Sequence, residues 1–218
     1  MTLSLFDEDH GVVVGANEWL ASQACVLRGR VLAQADDILS AIESITTAAP
    51  FRHLVTPGGT TMSVAMSNCG ALGWVSDRRG YRYSPHDPLS GQRWPAMPDS
   101  FQHLARQAAE AAGFPSFQPD ACLINRYEPG TRLTLHQDRD EQDYGHPIVS
   151  VSLGMPAVFL FGGLTRNERP ARIPLYHGDV VVWGGVDRLR FHGVAPLKAA
   201  SHPRLGAVRL NLTFRRAA

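Results

Sequence analysis

Little in this 218-residue chain points to a membrane, a secretory route or a disulfide scaffold. Its first residues, Met1 to Asp9, are acidic and lack the basic start and long apolar run of a signal peptide. The most apolar stretch, Ile148 to Leu164, is broken by Ser150, Ser152, Pro156 and Gly162-Gly163, so it predicts two core strands rather than a membrane span. Cysteine is scarce: Cys25, Cys69 and Cys122 are odd in number, widely spaced and match no zinc motif. Buried thiols in a reducing cytoplasm are expected from them. Charge of one sign is not in excess either, with 21 Lys plus Arg against 20 Asp plus Glu. No global polycation attracts nucleic acid, so such a partner would have to be held by local basic patches and a shaped pocket. Arg78 and Arg79 with Arg82, Arg132 and Arg166 are the candidates, each an ordinary surface charge when taken singly. There is no internal repeat, low-complexity tract or sign of a second domain, and the length fits one domain with a sizeable core.

What is present reads as an α+β chain. Cys25 to Gly29 predicts a short strand. Ala33 to Thr47 predicts a helix, with Ile38, Ala41, Ile42 and Ile45 at helical spacing. A second helix is expected over about Ser100 to Ala112, capped by Asp99 or Ser100 at its start and Gly113 at its end. Residues 50–98 have a different character, rich in Gly, Pro, Ser and aromatics, with short β-like runs such as Met62 to Met66. From Ala121 onward the pattern is short strands and turns, including Tyr127-Glu128-Pro129-Gly130 and Gly184-Gly185, which suits an antiparallel jelly roll with flanking helices.

Chemistry enters with His136-Gln137-Asp138 and a distant His192. Two imidazoles and a carboxylate that leave one side of a metal open are the facial triad of non-haem Fe(II) oxygenases. On a strand, alternation puts His136 and Asp138 on one face and Gln137 on the other. The tripeptide is weak evidence alone: with 9 His in the chain, His-x-Asp arises by chance roughly half a time. A second copy, His177-Gly178-Asp179, precedes the run Val180 to Trp183, where Gly-Asp predicts a turn entering a buried strand. It is the less favoured metal site.

The stretch Arg209 to Arg215 tips the balance. Period-2 alternation sets Arg209, Asn211, Thr213 and Arg215 on one face and Leu210, Leu212 and Phe214 on the other. The polar face either meets water or turns inward to hold a dianion. Guanidiniums about 20 Å apart at full extension could serve the two carboxylates of one molecule on a bent strand. Arg suits that task better than Lys because its planar fork binds carboxylate bidentately.

Taken in order, Asn125-Arg126-Tyr127, His136-Gln137-Asp138, His192 and Arg209-x-Asn211-x-Thr213-Phe214-Arg215 resemble the AlkB family of Fe(II)/2-oxoglutarate-dependent dioxygenases. The likeness extends upstream through Val55 to Gly59, Met62 to Met66, Cys69-Gly70-x-Leu72-Gly73-Trp74, Tyr81-x-Tyr83-Ser84-Pro85, Trp94 to Pro98 and Gln118 to Tyr127. It spans roughly residues 50–215. The segment from Ser201 to Val208 matches only weakly.

The resemblance implies a double-stranded β-helix core over about residues 120–215 and a β-rich nucleotide-recognition lid over about 50–98, within one domain of residues 1–218. It implies Fe(II) on His136, Asp138 and His192, and 2-oxoglutarate and O₂ as co-substrates. Arg209 would pair with the distal carboxylate of 2-oxoglutarate and Arg215 with its chelating end, while Asn125, Tyr127 and Asn211 add hydrogen bonds. Trp74 and the ring of His136 would sandwich a flipped base. Tyr81 and Tyr83 would contact backbone phosphate, Asp140 would serve as a pocket carboxylate, and Arg166 would complete the substrate contacts. The implied activity is oxidative removal of alkyl groups from 1-methyladenine and 3-methylcytosine in single-stranded DNA, with double-stranded DNA and RNA as further substrates and no obligate protein partner. An N-methyl group offers no acidic proton or electrophilic carbon, so oxidation through a cofactor is the chemistry required. The alternative is a 2-oxoglutarate-dependent hydroxylase of a small molecule or protein, with residues 50–98 serving as a different lid.

Overall fold

Every second residue of the last strand, Arg209–Arg215, is polar or charged, yet all seven are buried. The whole architecture follows from covering both faces of that strand. In the computed structural model, which describes residues 14–218, it is the fourteenth strand (β14); the acidic start of the chain lies outside the described residues. The other strands are β1 (Asn17–Ala21), β2 (Ala24–Leu27), β3 (Arg52–Val55), β4 (Thr61–Gly70), β5 (Gly73–Asp77), β6 (Gly80–Ser84), β7 (Ala121–Tyr127), β8 (Leu133–His136), β9 (Ile148–Gly154), β10 (Ala157–Phe161), β11 (Ala171–Leu175), β12 (Val180–Trp183) and β13 (His192–Val194). Two helices, α1 (Ala35–Ala48) and α2 (Asp99–Ala111), complete the set.

The large sheet runs β1-β2-β12-β9-β14-β7-β4-β3, a smaller one runs β11-β10-β13-β8, and β5 and β6 form a separate hairpin. Pairing within all three is antiparallel. Alternation splits the side chains of the large sheet into two sets. Cys122 and Ile124, Val149 and Val151, Val180 and Val182, and Leu210, Leu212 and Phe214 pack with Ile38, Ile42 and Ile45 of α1 and with Phe101 and Leu104 of α2. On the opposite side, Tyr127, Leu123 and Met66 pack with Ala157 and Val194 of the small sheet, and Val181 and Trp183 pack with Phe159 and Phe161. Between these two inner clusters lies the polar row of β14. The result is an α+β fold with a jelly-roll core of two facing sheets and helices on the outer face.

The local expectations hold with small shifts. The strand expected at Cys25 is β2, and Ile148 to Leu164 does form two strands, β9 and β10. Helix α1 starts at Ala35, after a 3₁₀ turn over Leu32–Gln34, with Asp36 and Asp37 facing the positive end of its dipole. Helix α2 departs from expectation at its start: Pro98 takes the N-cap position and no side chain caps it, so neither Asp99 nor Ser100 has that role. Asp99 lies in the first turn and acts there through the helix dipole alone. The run at Met62 to Met66 belongs to a ten-residue strand, β4, that joins the large sheet beside β7. All three cysteines are free and buried. No helix among the described residues is long and apolar enough to cross a membrane.

Candidate active site

Register places the site. Strand β13 pairs with β8 so that His192 lies opposite His136. Gly193 permits the close approach, since a Cβ there would come within 2.6 Å of the Leu133 carbonyl oxygen. Asp138 follows just beyond the end of β8, and the ligand atoms of His136, Asp138 and His192 all lie within 4.8 Å of one another. This is the sole such His/Cys/Asp/Glu group among the described residues.

Both imidazoles are oriented for a metal. His136 Nδ1 lies 2.9 Å from the Thr134 carbonyl oxygen, and His192 Nδ1 lies 3.0 Å from that of Arg190. A carbonyl can only accept, so each Nδ1 carries the proton and each Nε2 presents its lone pair. The two Nε2 atoms face the same carboxylate oxygen, Asp138 Oδ1, at 3.5 and 3.8 Å. The other oxygen, Oδ2, accepts from Arg215 Nε at 2.8 Å and Nη2 at 2.7 Å. Burial alone would raise the Asp138 pKa, but Arg215 and the two imidazoles outweigh it and hold the carboxyl well below the usual range. Burial, followed by the neighbouring His136, pushes His192 down to about 3. Neutral imidazoles and an ionised carboxylate are the states that coordinate a metal, so the donor set fits Fe(II).

The polar row of β14 faces this cluster rather than water. Its partners on β7 are in step: Arg209 lies opposite Tyr127 and Asn211 opposite Asn125. Two serines of β9, absent from the sequence-based expectation, brace the row. Ser152 Oγ accepts from Arg209 Nη2 at 3.0 Å, and Ser150 Oγ from Asn211 Nδ2 at 2.8 Å. Arg209 is 2 % exposed, its guanidinium stacks over the Tyr127 ring at 4.9 Å, and its Nε and Nη1 have no hydrogen-bond partner. The Asn125 side-chain oxygen is also unpartnered. Stranding two donors of a buried guanidinium costs a few kcal/mol, roughly 1–3 per group or more. An anion that fits between β14 and the small sheet removes that cost, which is the requirement 2-oxoglutarate meets. Arg215 differs, because Asp138 and Glu141 already balance it.

The β5–β6 hairpin closes over the same cavity. Asn68 brackets the Trp74 backbone, accepting from its N–H and donating to its carbonyl, each at 3.0 Å. Gly73 is required there, because a Cβ would lie 2.4 Å from Trp94 Nε1. The Trp74 indole N–H donates to Asp140 at 2.7 Å, and its ring stacks on Tyr81 at 5.4 Å. Tyr81 is 45 % exposed. Tyr83, expected beside a phosphate, donates to Glu141 at 2.7 Å. Alternation along β6 keeps residues 81 and 83 on one face, and both line this cavity. Arg166 and Arg132 line the cavity, and Arg166 also donates to the Leu135 carbonyl at 2.6 Å. Arg78 and Arg79 sit exposed at the hairpin tip, while Arg82 is engaged by Asp77 at 2.7 Å.

Glu141 and Arg188 also went unread in the sequence. Both are buried and paired at 3.0 Å. Glu141 follows the metal tripeptide in an acidic run, and Arg188 shortly precedes His192; nearness to the ligands was the only signal available.

A jelly roll carrying an open His-Asp-His triad with an anion-ready arginine on the facing strand defines an Fe(II)- and 2-oxoglutarate-dependent oxygenase. The model of the 2OG-Fe(II) oxygenase superfamily matches residues 23–215. The chain is 60 % identical to the alpha-ketoglutarate-dependent dioxygenase AlkB of Salmonella typhimurium over 201 residues, 92 % of this chain and 93 % of that protein. It is 36 % identical over 133 residues to the nucleic acid dioxygenase ALKBH1 of Mus musculus, covering 61 % of this chain and 33 % of that one. Among solved structures, OsALKBH1 superposes with a TM-score of 0.81 at 29 % identity, covering 92 % of this chain and 100 % of that one. The chain belongs to the AlkB family, and its cofactor and co-substrates are Fe(II), 2-oxoglutarate and O₂.

Proposed function

We propose that this dioxygenase removes N-linked alkyl groups from nucleic-acid bases by oxidation, with 1-methyladenine and 3-methylcytosine in single-stranded DNA as first substrates. Double-stranded DNA and RNA are within its reach, and a cytoplasmic location suits all three. The observation that carries this reading is one cavity of about 590 Å³ lined together by the metal triad, Arg209, Trp74 and Asp140. The nucleic acid dioxygenase among the relatives supports it, and none of the relatives reported above favours hydroxylation of a small molecule or protein.

In this reading His136 Nε2, His192 Nε2 and Asp138 Oδ1 hold the metal. Arg209 holds the distal carboxylate of 2-oxoglutarate and Arg215 its other end, while Asn125, Tyr127 and Asn211 donate hydrogen bonds to the same molecule, whose oxygens only accept. When bound, Fe(II) with 2-oxoglutarate and O₂ supplies the oxidation that turns an N-methyl C–H into C–OH, with succinate and CO₂ as co-products. Trp74 and His136 hold the extruded base between them, and stacking of this kind contributes roughly 1–3 kcal/mol per base. Tyr81 and Arg166, with Tyr83 on the same strand face as Tyr81, stand toward the rim for backbone phosphate. Asp140 favours a cationic lesion over a neutral base, since methylation at N1 of adenine or N3 of cytosine adds a positive charge. The hydroxymethyl group then loses its proton from oxygen as its C–N bond breaks, giving formaldehyde and the unmodified base. Damaged bases pair poorly, so extrusion costs least for them and for single strands. Residues 50–98 serve as the nucleotide-recognition lid through the β5–β6 hairpin, while β3 and β4 of the same stretch extend the large sheet of the catalytic core formed by 120–215.

The test is mass spectrometry of a single-stranded oligonucleotide carrying one 1-methyladenine, incubated with protein, Fe(II), ascorbate and O₂, with and without 2-oxoglutarate. Loss of 14 Da (one CH₂, as a methyl is replaced by hydrogen; about 14 by composition) is expected only when 2-oxoglutarate is present. Succinate without that loss overturns the substrate assignment.

A further inference from the structure

We propose that Arg188 is a positioning residue for the metal site, bracing the segment that carries Asp138 against the segment that carries His192. The inference rests on the metal assignment above. Arg188 directly follows the 3₁₀ turn Gly185–Asp187 and lies on the approach to β13. Its side-chain contacts nevertheless go to the other half of the site. Nη1 donates to the Asp138 carbonyl and Nε to the His146 carbonyl, each at 3.0 Å. Nη2 lies 3.0 Å from Glu141 Oε2 as an ion pair, though not aligned as a hydrogen bond, since that oxygen accepts none. The guanidinium also lies over the Tyr144 ring, 5.6 Å from its centroid. The side chains of Arg188 and Glu141 are 3 % and 2 % exposed, so each charge depends on its partner rather than on water.

The pairs close into a ring. Glu141 also accepts from Tyr83 at 2.7 Å and lies 3.4 Å from Arg215 Nε, and Arg215 in turn binds Asp138 Oδ2. Two carboxylates and two guanidiniums balance as a set. Arg188 is the cation that neutralises Glu141, which leaves Arg215 to Asp138 and keeps Asp138 Oδ1 turned toward the imidazoles. Without Arg188, Glu141 competes for Arg215 and the metal-facing carboxylate loses its orientation. A lysine cannot span the two carbonyls and the carboxylate, because it lacks the planar fork.

The experiment titrates metal-free protein with Co(II), followed by visible absorption of the bound ion, and measures hydrogen exchange of backbone amides 138–146 in the same preparation. Arg188→Lys and Arg188→Gln are expected to weaken Co(II) binding about 10- to 100-fold and to speed exchange in 138–146 while leaving α1 unchanged. Adding Glu141→Gln to Arg188→Gln removes the competitor and restores most of the affinity. Parental affinity in both single variants, faster exchange spread through the whole chain, or a double variant no better than Arg188→Gln overturns the proposal. His192→Ala serves as control: if it binds Co(II) like the parent, the metal assignment and the role of Arg188 fall together. A negative oligonucleotide assay leaves the Co(II) result standing, so the two failures are distinguishable.

Discussion

The chain carries His-x-Asp twice, and the two copies have opposite fates. In His136-Gln137-Asp138 the protons sit away from the site: Nδ1 of His136 is held by a backbone carbonyl, and Asp138 uses only Oδ2 for Arg215. Nε2 and Oδ1 remain, and His192 arrives from across the sheet to face them. In His177-Gly178-Asp179 the same atoms are consumed. His177 Nδ1 accepts the Gly154 amide at 3.0 Å, so its proton sits on Nε2. Asp179 Oδ1 accepts from the Gly29 amide, and Oδ2 from Arg28 Nη1 and the Tyr176 amide. The second copy is a brace that ties β2 to the turn before β12. Spacing is common to both; what separates ligand from brace is which donor atoms are already engaged.

The largest expected effect tests that distinction directly. Asp138→Ala should abolish turnover and Co(II) binding, because it removes a ligand and strands Arg215. Asp179→Asn should leave Co(II) binding intact yet cost about 3 kcal/mol of stability, the order expected when one partner of a buried ion pair is removed. Denaturant melts alongside metal titrations check both at once. Retained Co(II) binding in Asp138→Ala, or its loss in Asp179→Asn, would reverse the assignment of the two copies.

Next comes Arg209, whose two unpartnered donors contrast with the saturated carboxylate of Asp179. Arg209→Met should raise the KM for 2-oxoglutarate about 100-fold, since hydrogen bonds to charged groups are worth roughly 1.5–3 kcal/mol each. The stability of the protein without 2-oxoglutarate should change little or improve, because a buried unpaired cation is gone. An unchanged KM removes the anchoring role. Trp74→Ala follows, with a fall of about 10- to 100-fold in kcat/KM for a methylated oligonucleotide from lost stacking. Succinate formation in the absence of nucleic acid should stay near the parental rate. A variant with parental kcat/KM would mean that the base does not stack on Trp74.

The legible part of this site was the part carried by alternation and order. Arg209, Asn211, Thr213 and Arg215 could be set on one face from the sequence, and their inward direction came from the larger ordered pattern. Helices α1 and α2 were readable because their apolar residues repeat at helical spacing. Capping was not: Pro98 at the start of α2 makes a helix end without a side-chain cap. The membership of β4 in the large sheet was equally hidden, since its pairing with β7 is a contact between distant residues. Glu141, Arg188 and the bond from Tyr83 to Glu141 were illegible for a related reason. Their roles arise from a ring of charges drawn from β6, the metal loop and the turn before β13, and no local pattern encodes such a meeting.

The smallest expected effect sharpens the comparison between the two histidines. Burial lowers the pKa of both His177 and His192, but His192 falls to about 3 while His177 sits in a less enclosed place beside His202. A base whose folded pKa is depressed costs nothing above its unfolded value, since neither state is then protonated. Below about pH 6.5 the unfolded chain binds a proton that folded His192 refuses, so stability falls as pH drops toward 3. Between pH 6.5 and 5.5 this amounts to about 1 kcal/mol for a single such group. Asp138 has the same sign but acts lower, because its stabilising ionised form is lost only below the unfolded carboxyl value near 4. Thermal melts of metal-free protein across pH 5–7 should therefore slope downward with acid. His192→Gln should flatten that slope and His177→Gln should flatten it less. Equal flattening by both would mean that the ligand histidine is no more enclosed than the bracing one, and the difference between the two copies would then rest on hydrogen bonding alone.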